Sequence, residues 1–101
     1  MKIIYAPRAL RDIDEILGYV RKRNPRGAHN VSLAIEHTIR MCALNPRGSP
    51  ETDESNVHRC PLGKYRYTVF YRTLTREAGL EVVRVVHSAR VKNLGRIPEE
   101  D

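Results

Sequence analysis

Ala9, Leu10, Ile13, Ile16, Leu17 and Val20 recur at three- and four-residue steps, which places them on one stripe of an α-helix. Pro7 suits the first helical position, Arg21, Lys22 and Arg23 put positive charge in the last turn, and Asn24-Pro25 stops the run. Asp12, Asp14 and Glu15 read as charges placed toward the positive end of that helix. A second helical pattern, from about Arg26 to Leu44, carries Ala28, Val31, Ile35, Ile39 and Cys42, and ends at Asn45-Pro46. So short a connection predicts an antiparallel helical hairpin. Elsewhere the period falls to two. Lys2 to Tyr5 and Val57 to Cys60 read as short strands. Lys64 to Thr73 reads as a longer one, and the run that carries Val82, Val83, Val85 and Val86 and ends in His87 and Arg90 as its hairpin partner, with Glu77-Ala78-Gly79 as the break between them. The order is β-α-α-β-β-β. It predicts an α+β fold with the N-terminal helical hairpin packed on one face of a small antiparallel sheet. Asn45 to Asn56, NPRGSPETDESN, is a polar surface loop.

The chain has 101 residues, enough for a single domain over 1–101, with residues 93–101 expected as a flexible tail. No apolar run approaches the length of a membrane span and no signal-peptide pattern opens the sequence, so a cytoplasmic protein with no membrane partner is expected. Cys42 and Cys60 have no paired spacing and read as free thiols. The histidines at 29, 37, 58 and 87 share no element with carboxylates or thiols at ligand spacing, so neither a metal site nor a cofactor is expected.

The formal net charge of +6 asks for a purpose. Of eighteen basic residues only four are lysine, and arginine is favoured where planar contacts to carboxylate or phosphate are made. Nucleic acid and an acidic protein segment both fit; so does simple solubility through self-repulsion. Strand alternation sharpens this. Tyr67, Val69 and Tyr71 point to one face, beneath the helices, and Arg66, Thr68, Phe70 and Arg72 to the other. Arg84 and Val86 on the last strand are expected to join the second set. The result would be an arginine-rimmed groove in which an acidic amphipathic segment could bury Phe70 and Val86.

With APRALRDIDEI near its start and VVHSAR near its end, the β-α-α-β-β-β order resembles the ParE branch of the RelE/ParE toxin superfamily, over nearly the whole chain. That resemblance implies the toxin of a type II toxin–antitoxin system. ParE-like members poison DNA gyrase and block replication, whereas RelE-like members cut mRNA in the ribosome; one scaffold serves both. It also implies neutralisation by a cognate antitoxin with an acidic C-terminal segment, through which alone operator DNA would be bound. Candidate contacts for antitoxin or target are Arg59, Arg66, Phe70, Arg72, Arg84, His87 and Arg90.

Ribosome-dependent cleavage needs a base for the ribose 2′-OH, cations for the phosphate and an acid for the leaving oxygen. RelE-like enzymes place an arginine early on the central strand and a tyrosine or histidine near the C-terminus. When YTVFYRT is laid over that strand by its tyrosines, Thr68 stands where the arginine would be; a slide of two residues brings Arg66 there instead. The tail VKNLGRIPEED has no tyrosine or histidine. Both departures favour the ParE branch, with no catalytic residue of its own. His87 suits acid–base chemistry and Arg59, Arg84 and Arg90 could hold a phosphate, but no carboxylate partner is evident, and nothing supplies a base for Ser88. His87 and Arg90, in a His-x-x-Arg ending that ParE-like sequences share, then read as shaping the strand end. Two alternatives stand beside the gyrase poison: a ribosome-dependent mRNA endonuclease using Arg59, Arg66, Arg84 and His87, and a non-toxic relic that only binds antitoxin.

Overall fold

A computed structural model describes residues 1–54, 56–92 and 95–98. The elements follow the order expected: β1 (Lys2–Tyr5), α1 (Pro7–Arg23), α2 (Pro25–Leu44), β2 (Val57–Pro61), β3 (Tyr67–Thr73), β4 (Gly79–His87) and a short 3₁₀ turn, Ser88–Arg90. A single residue, Asn24, joins the helices. It ends α1 by donating its N–H to the Val20 carbonyl, and it opens α2 by accepting the Gly27 N–H on its side-chain oxygen at 3.0 Å. Proline opens both helices, where a missing N–H leaves no bond unmade.

The four strands lie in the order β1-β4-β3-β2. β2 with β3 and β3 with β4 are antiparallel, but β1 runs parallel to β4, so the sheet is mixed and not wholly antiparallel as expected. The cause is the helical hairpin. It returns the chain to the far edge of the sheet, and the β3–β4 hairpin then brings β4 back beside β1 in β1's own direction. Gly79 is required at that meeting. Its φ is 142°, and a Cβ there would lie 2.0 Å from the Lys2 carbonyl oxygen.

One face of the sheet carries the core. Val31, Ile35, Ile39, Cys42 and Ala43 of α2 and Ala9 of α1 pack with Val69, Tyr71, Leu80, Val82 and Val85. Tyr71, the largest fully buried side chain, also donates its hydroxyl to the Pro46 carbonyl at 2.6 Å and stacks on His58, so it pins the loop after α2 to the sheet. β4 is bulged. Phe70 pairs with Arg84 and Tyr71 with Val82, which leaves Val83 unmatched. The bulge resets the alternation, so Leu80 and Val82 face the helices before it and Val85 faces them after it.

The opposite face is covered as well. Val57, Phe70 and Val86, all turned away from the helices, are 0%, 0% and 2% exposed. Near the chain's end, the Gly95 carbonyl accepts the Asp53 N–H at 2.7 Å beside β2, and the Pro98 carbonyl accepts from Arg84 Nη1 at 3.1 Å on β4. Three residues span about 10 Å, which is the width of two strand spacings. The chain's end therefore lies across the face that carries Phe70. Residues 93, 94 and 99–101 of the expected flexible tail fall outside the described residues. Among the described residues, no helix is long and apolar enough to cross a membrane.

Candidate functional site

β1 pairs with β4 only as far as Val82, where Ala6 donates its N–H to the Val82 carbonyl and the chain turns into α1. Beyond that point the outer edge of β4 would expose unpaired backbone. Asp12 fills the gap. Projecting from the second turn of α1, its Oδ2 accepts the Val85 N–H at 3.0 Å and Arg84 Nε at 2.7 Å, and its Oδ1 takes Arg84 Nη2 at 3.2 Å and Arg8 Nη1 at 3.1 Å. Asp12 and Arg84 are 4% and 5% exposed. A two-point carboxylate–guanidinium contact of this kind is stable in a dry site because it satisfies both charges and several donors together.

Two sequence expectations need correction here. Arg84 does share a face with Phe70, but it is not an exposed groove cation: its guanidinium is occupied by Asp12 and the Pro98 carbonyl. Phe70 is not an exposed anchor, since the protein's own chain already covers it. Val82 does not share their face, because the bulge separates them.

Past Val85 the strand end forms a cavity of about 370 Å³, lined on the α1 side by Asp12, Glu15, Ile16 and Tyr19 and on the sheet side by Tyr67, Val85, Val86, His87 and Arg90. Tyr67 and His87 are register partners whose rings meet edge to face at 5.5 Å. Burial, and then the neighbouring Tyr19, push the Tyr67 phenol upward. His87 Nδ1 accepts the Ala89 N–H at 3.1 Å, which starts the 3₁₀ turn that carries Arg90 to the cavity wall. Ser88 is held by Arg66 and Thr68: its N–H reaches the Arg66 carbonyl at 2.8 Å and its hydroxyl lies 2.8 Å from that of Thr68. In α1's last turns, Arg23 stacks on Tyr19 at 3.8 Å.

The remaining candidates are dispersed. Arg59 on β2 and Arg84 on β4 lie in one row with Phe70 between them, while His87 lies three positions further along β4, about 10 Å at the strand rise. Arg66 is exposed just before β3, and Arg72 is exposed and faces Glu81 across the strands at 3.4 Å. The structure thus joins His87 and Arg90 in one cavity and separates them from Arg59 and Arg72. Asp12, Tyr19 and Tyr67 were not among the expected site residues. Asp12 left a signal: it lies three residues after Ala9 and four before Ile16, so it stands on the apolar stripe of α1, where a carboxylate needs a buried partner.

Among the described residues, no three or more His, Cys, Asp or Glu side chains gather where they could hold a metal ion. Around His87 the walls of the open cavity bring together an imidazole, two phenols, a guanidinium and carboxylates.

Comparison with known proteins places this geometry. In a chromosomal ParDE toxin–antitoxin system from P. aeruginosa, one solved chain shares the fold with a TM-score of 0.70 and 13% sequence identity, covering 86% of this chain and 95% of that one. No curated protein matches the chain. The sequence model of the family described as the ParE toxin of the type II toxin–antitoxin system, parDE, matches residues 3–92. A match over that span, carrying both helices, all four strands and the cavity at the end of β4, shows that this chain belongs to the ParE toxin family.

Proposed function

We propose that this protein is an active toxin that poisons DNA gyrase in the cytoplasm, stabilises the broken-DNA intermediate and so blocks replication. A cognate antitoxin, with an acidic C-terminal segment, holds it in check; operator DNA is bound through that antitoxin. The observation that carries the choice of target is the state of Arg84. Ribonuclease chemistry on this sheet would need Arg84 turned toward a substrate phosphate beside His87, but its guanidinium is buried on Asp12. A cation already neutralised by a carboxylate contributes little to a developing phosphate charge. Membership of the ParE branch supports the same reading.

Target recognition falls to the surface around the end of β4. His87, Arg90, Tyr67 and Tyr19 supply aromatic and cationic contacts there, of the kind that dominate protein interfaces. The net charge of +6 favours approach to the acidic surfaces of a DNA-bound enzyme.

The test is to incubate purified protein with DNA gyrase, ATP and supercoiled plasmid, then denature the enzyme and look for linear DNA. Linear plasmid is the expected outcome. Intact plasmid together with mRNA cut on isolated ribosomes would move the assignment to a ribonuclease. Normal growth of cells that make soluble protein without antitoxin would leave a binding relic.

A further inference from the structure

Away from the β4 site, the last turn of α2 and the end of β2 bring the two cysteines together. Cys42 is buried, Cys60 is half-buried, and both are free thiols. Cys60 packs against the core cluster to which Cys42 belongs, and its Sγ donates to the Pro61 carbonyl at 3.7 Å. Both line a cavity of about 480 Å³ whose walls include His37, Met41, Ser49 and Leu62. The loop beside them is fixed, because Tyr71 donates to the Pro46 carbonyl and His58 Nδ1 lies 2.7 Å from the Ser49 carbonyl oxygen. Of the two thiols on this cavity, Cys60 is the more accessible and Cys42 the buried one.

We propose that Cys60 is a thiol-modification site resolved by Cys42: it exchanges with a low-molecular-weight disulfide such as oxidised glutathione, and the pair closes to an intramolecular disulfide between α2 and β2. In the first step the Cys60 thiolate attacks one sulfur of the small disulfide. That S–S bond breaks, one glutathione leaves as its thiolate, and a mixed disulfide forms on Cys60. In the second, Cys42 gives its proton to the departing glutathione and attacks the Cys60 sulfur, expelling the second glutathione as a thiol. Two protein thiols are oxidised and one small disulfide is reduced to two thiols.

The order of attack follows from the surroundings. Its neighbour Cys42 holds the Cys60 thiol below the usual cysteine range, and Cys60, together with burial, pushes Cys42 up. Thiolate character thus collects on the more accessible sulfur, which is the arrangement of an attacking and a resolving cysteine. The new bond would tie the end of α2 to β2 and close the 45–56 loop between them.

The experiment treats the full chain with excess oxidised glutathione and follows free thiols and intact mass without reductant. Wild-type protein is expected to lose both thiols, to fall in mass by two hydrogens, and to recover both thiols with dithiothreitol. Cys42→Ser should stop at a single glutathione adduct, and Cys60→Ser should take up none. Wild-type protein that keeps both thiols, that accumulates a stable glutathione adduct with Cys42 still free, or that cross-links between chains would overturn the proposal. Because the wild-type reaction alone separates these outcomes, the test stands even where a serine variant fails to fold.

Discussion

Asp12 and Arg84 stand 72 residues apart in sequence and meet at 2.7 Å, with the Val85 N–H sharing the same carboxylate oxygen. This contact joins α1 to the bulged, unpaired edge of β4 and so positions the strand end on which His87 and Arg90 are carried. Removing one member leaves a buried charge. Asp12→Ala is expected to cost about 3–5 kcal/mol in chemical denaturation, whereas Asp12→Ala combined with Arg84→Met should cost clearly less than the first change alone. A double-variant loss equal to the sum of the Asp12→Ala and Arg84→Met losses would show that the pair is not coupled.

Phe70 separates a docking face from a core position. Fully buried beneath the chain's own end, it should lose about 3–5 kcal/mol of stability on Phe70→Ala. An exposed binding residue would change stability by less than about 0.5 kcal/mol. Urea denaturation of the free protein distinguishes the two, and a neutral result would restore the open groove expected from strand alternation.

Gly79 is held at a φ of 142°, with the Lys2 carbonyl in the space a Cβ would take. Gly79→Ala should therefore cost at least about 1–3 kcal/mol from backbone strain alone, and should loosen β1 from β4. Hydrogen exchange checks the second part: the amides of Ile4 and Ala6, on β1 and just after it, are expected to lose protection before those of β3.

Tyr71 gives a pH dependence of known sign. Burial raises its phenol from 10.0 to about 12 in the folded protein, so the folded state favours the neutral ring. The stabilisation is complete below pH 10 and is lost as pH rises toward 12, because the unfolded chain ionises first. Tyr71→Phe removes the hydroxyl's bond to Pro46 and should cost about 1 kcal/mol at neutral pH. The deficit should shrink or reverse between pH 10 and 12 in alkaline denaturation; a constant deficit would show that the phenol does not titrate with folding.

The order of elements was legible because it rests on local physics. The stripe from Ala9 to Val20, Pro7 at the first helix start, Asn24-Pro25 between the helices and the β-branched runs around Gly79 are read within a few residues of one another. The observed bounds differ little: α2 begins at Pro25, one residue early, and β3 begins at Tyr67 because Lys64 to Arg66 are spent on the turn. The choice of Tyr67, Val69 and Tyr71 for the helix side also rested on local alternation, and Val69 and Tyr71 lie in the core. At the site, His87 and Arg90 were legible as a pair, while the partners that surround them on α1 were not.

What the sequence by itself determined, then, is the succession of helices and strands, the short joint between the helices and the identity of the family, all of which depend on spacing along the chain. The tertiary structure alone decided that β1 runs parallel to β4, that a bulge at Val83 turns Arg84 away from the face of Val82, and that Asp12 neutralises it. It also decided that the chain's end covers Phe70 and that Cys42 and Cys60 line one cavity. The physical reason is common to all of these. Each depends on which buried donor, charge or apolar surface is left without a partner once the elements pack, and a residue distant in sequence must then supply that partner.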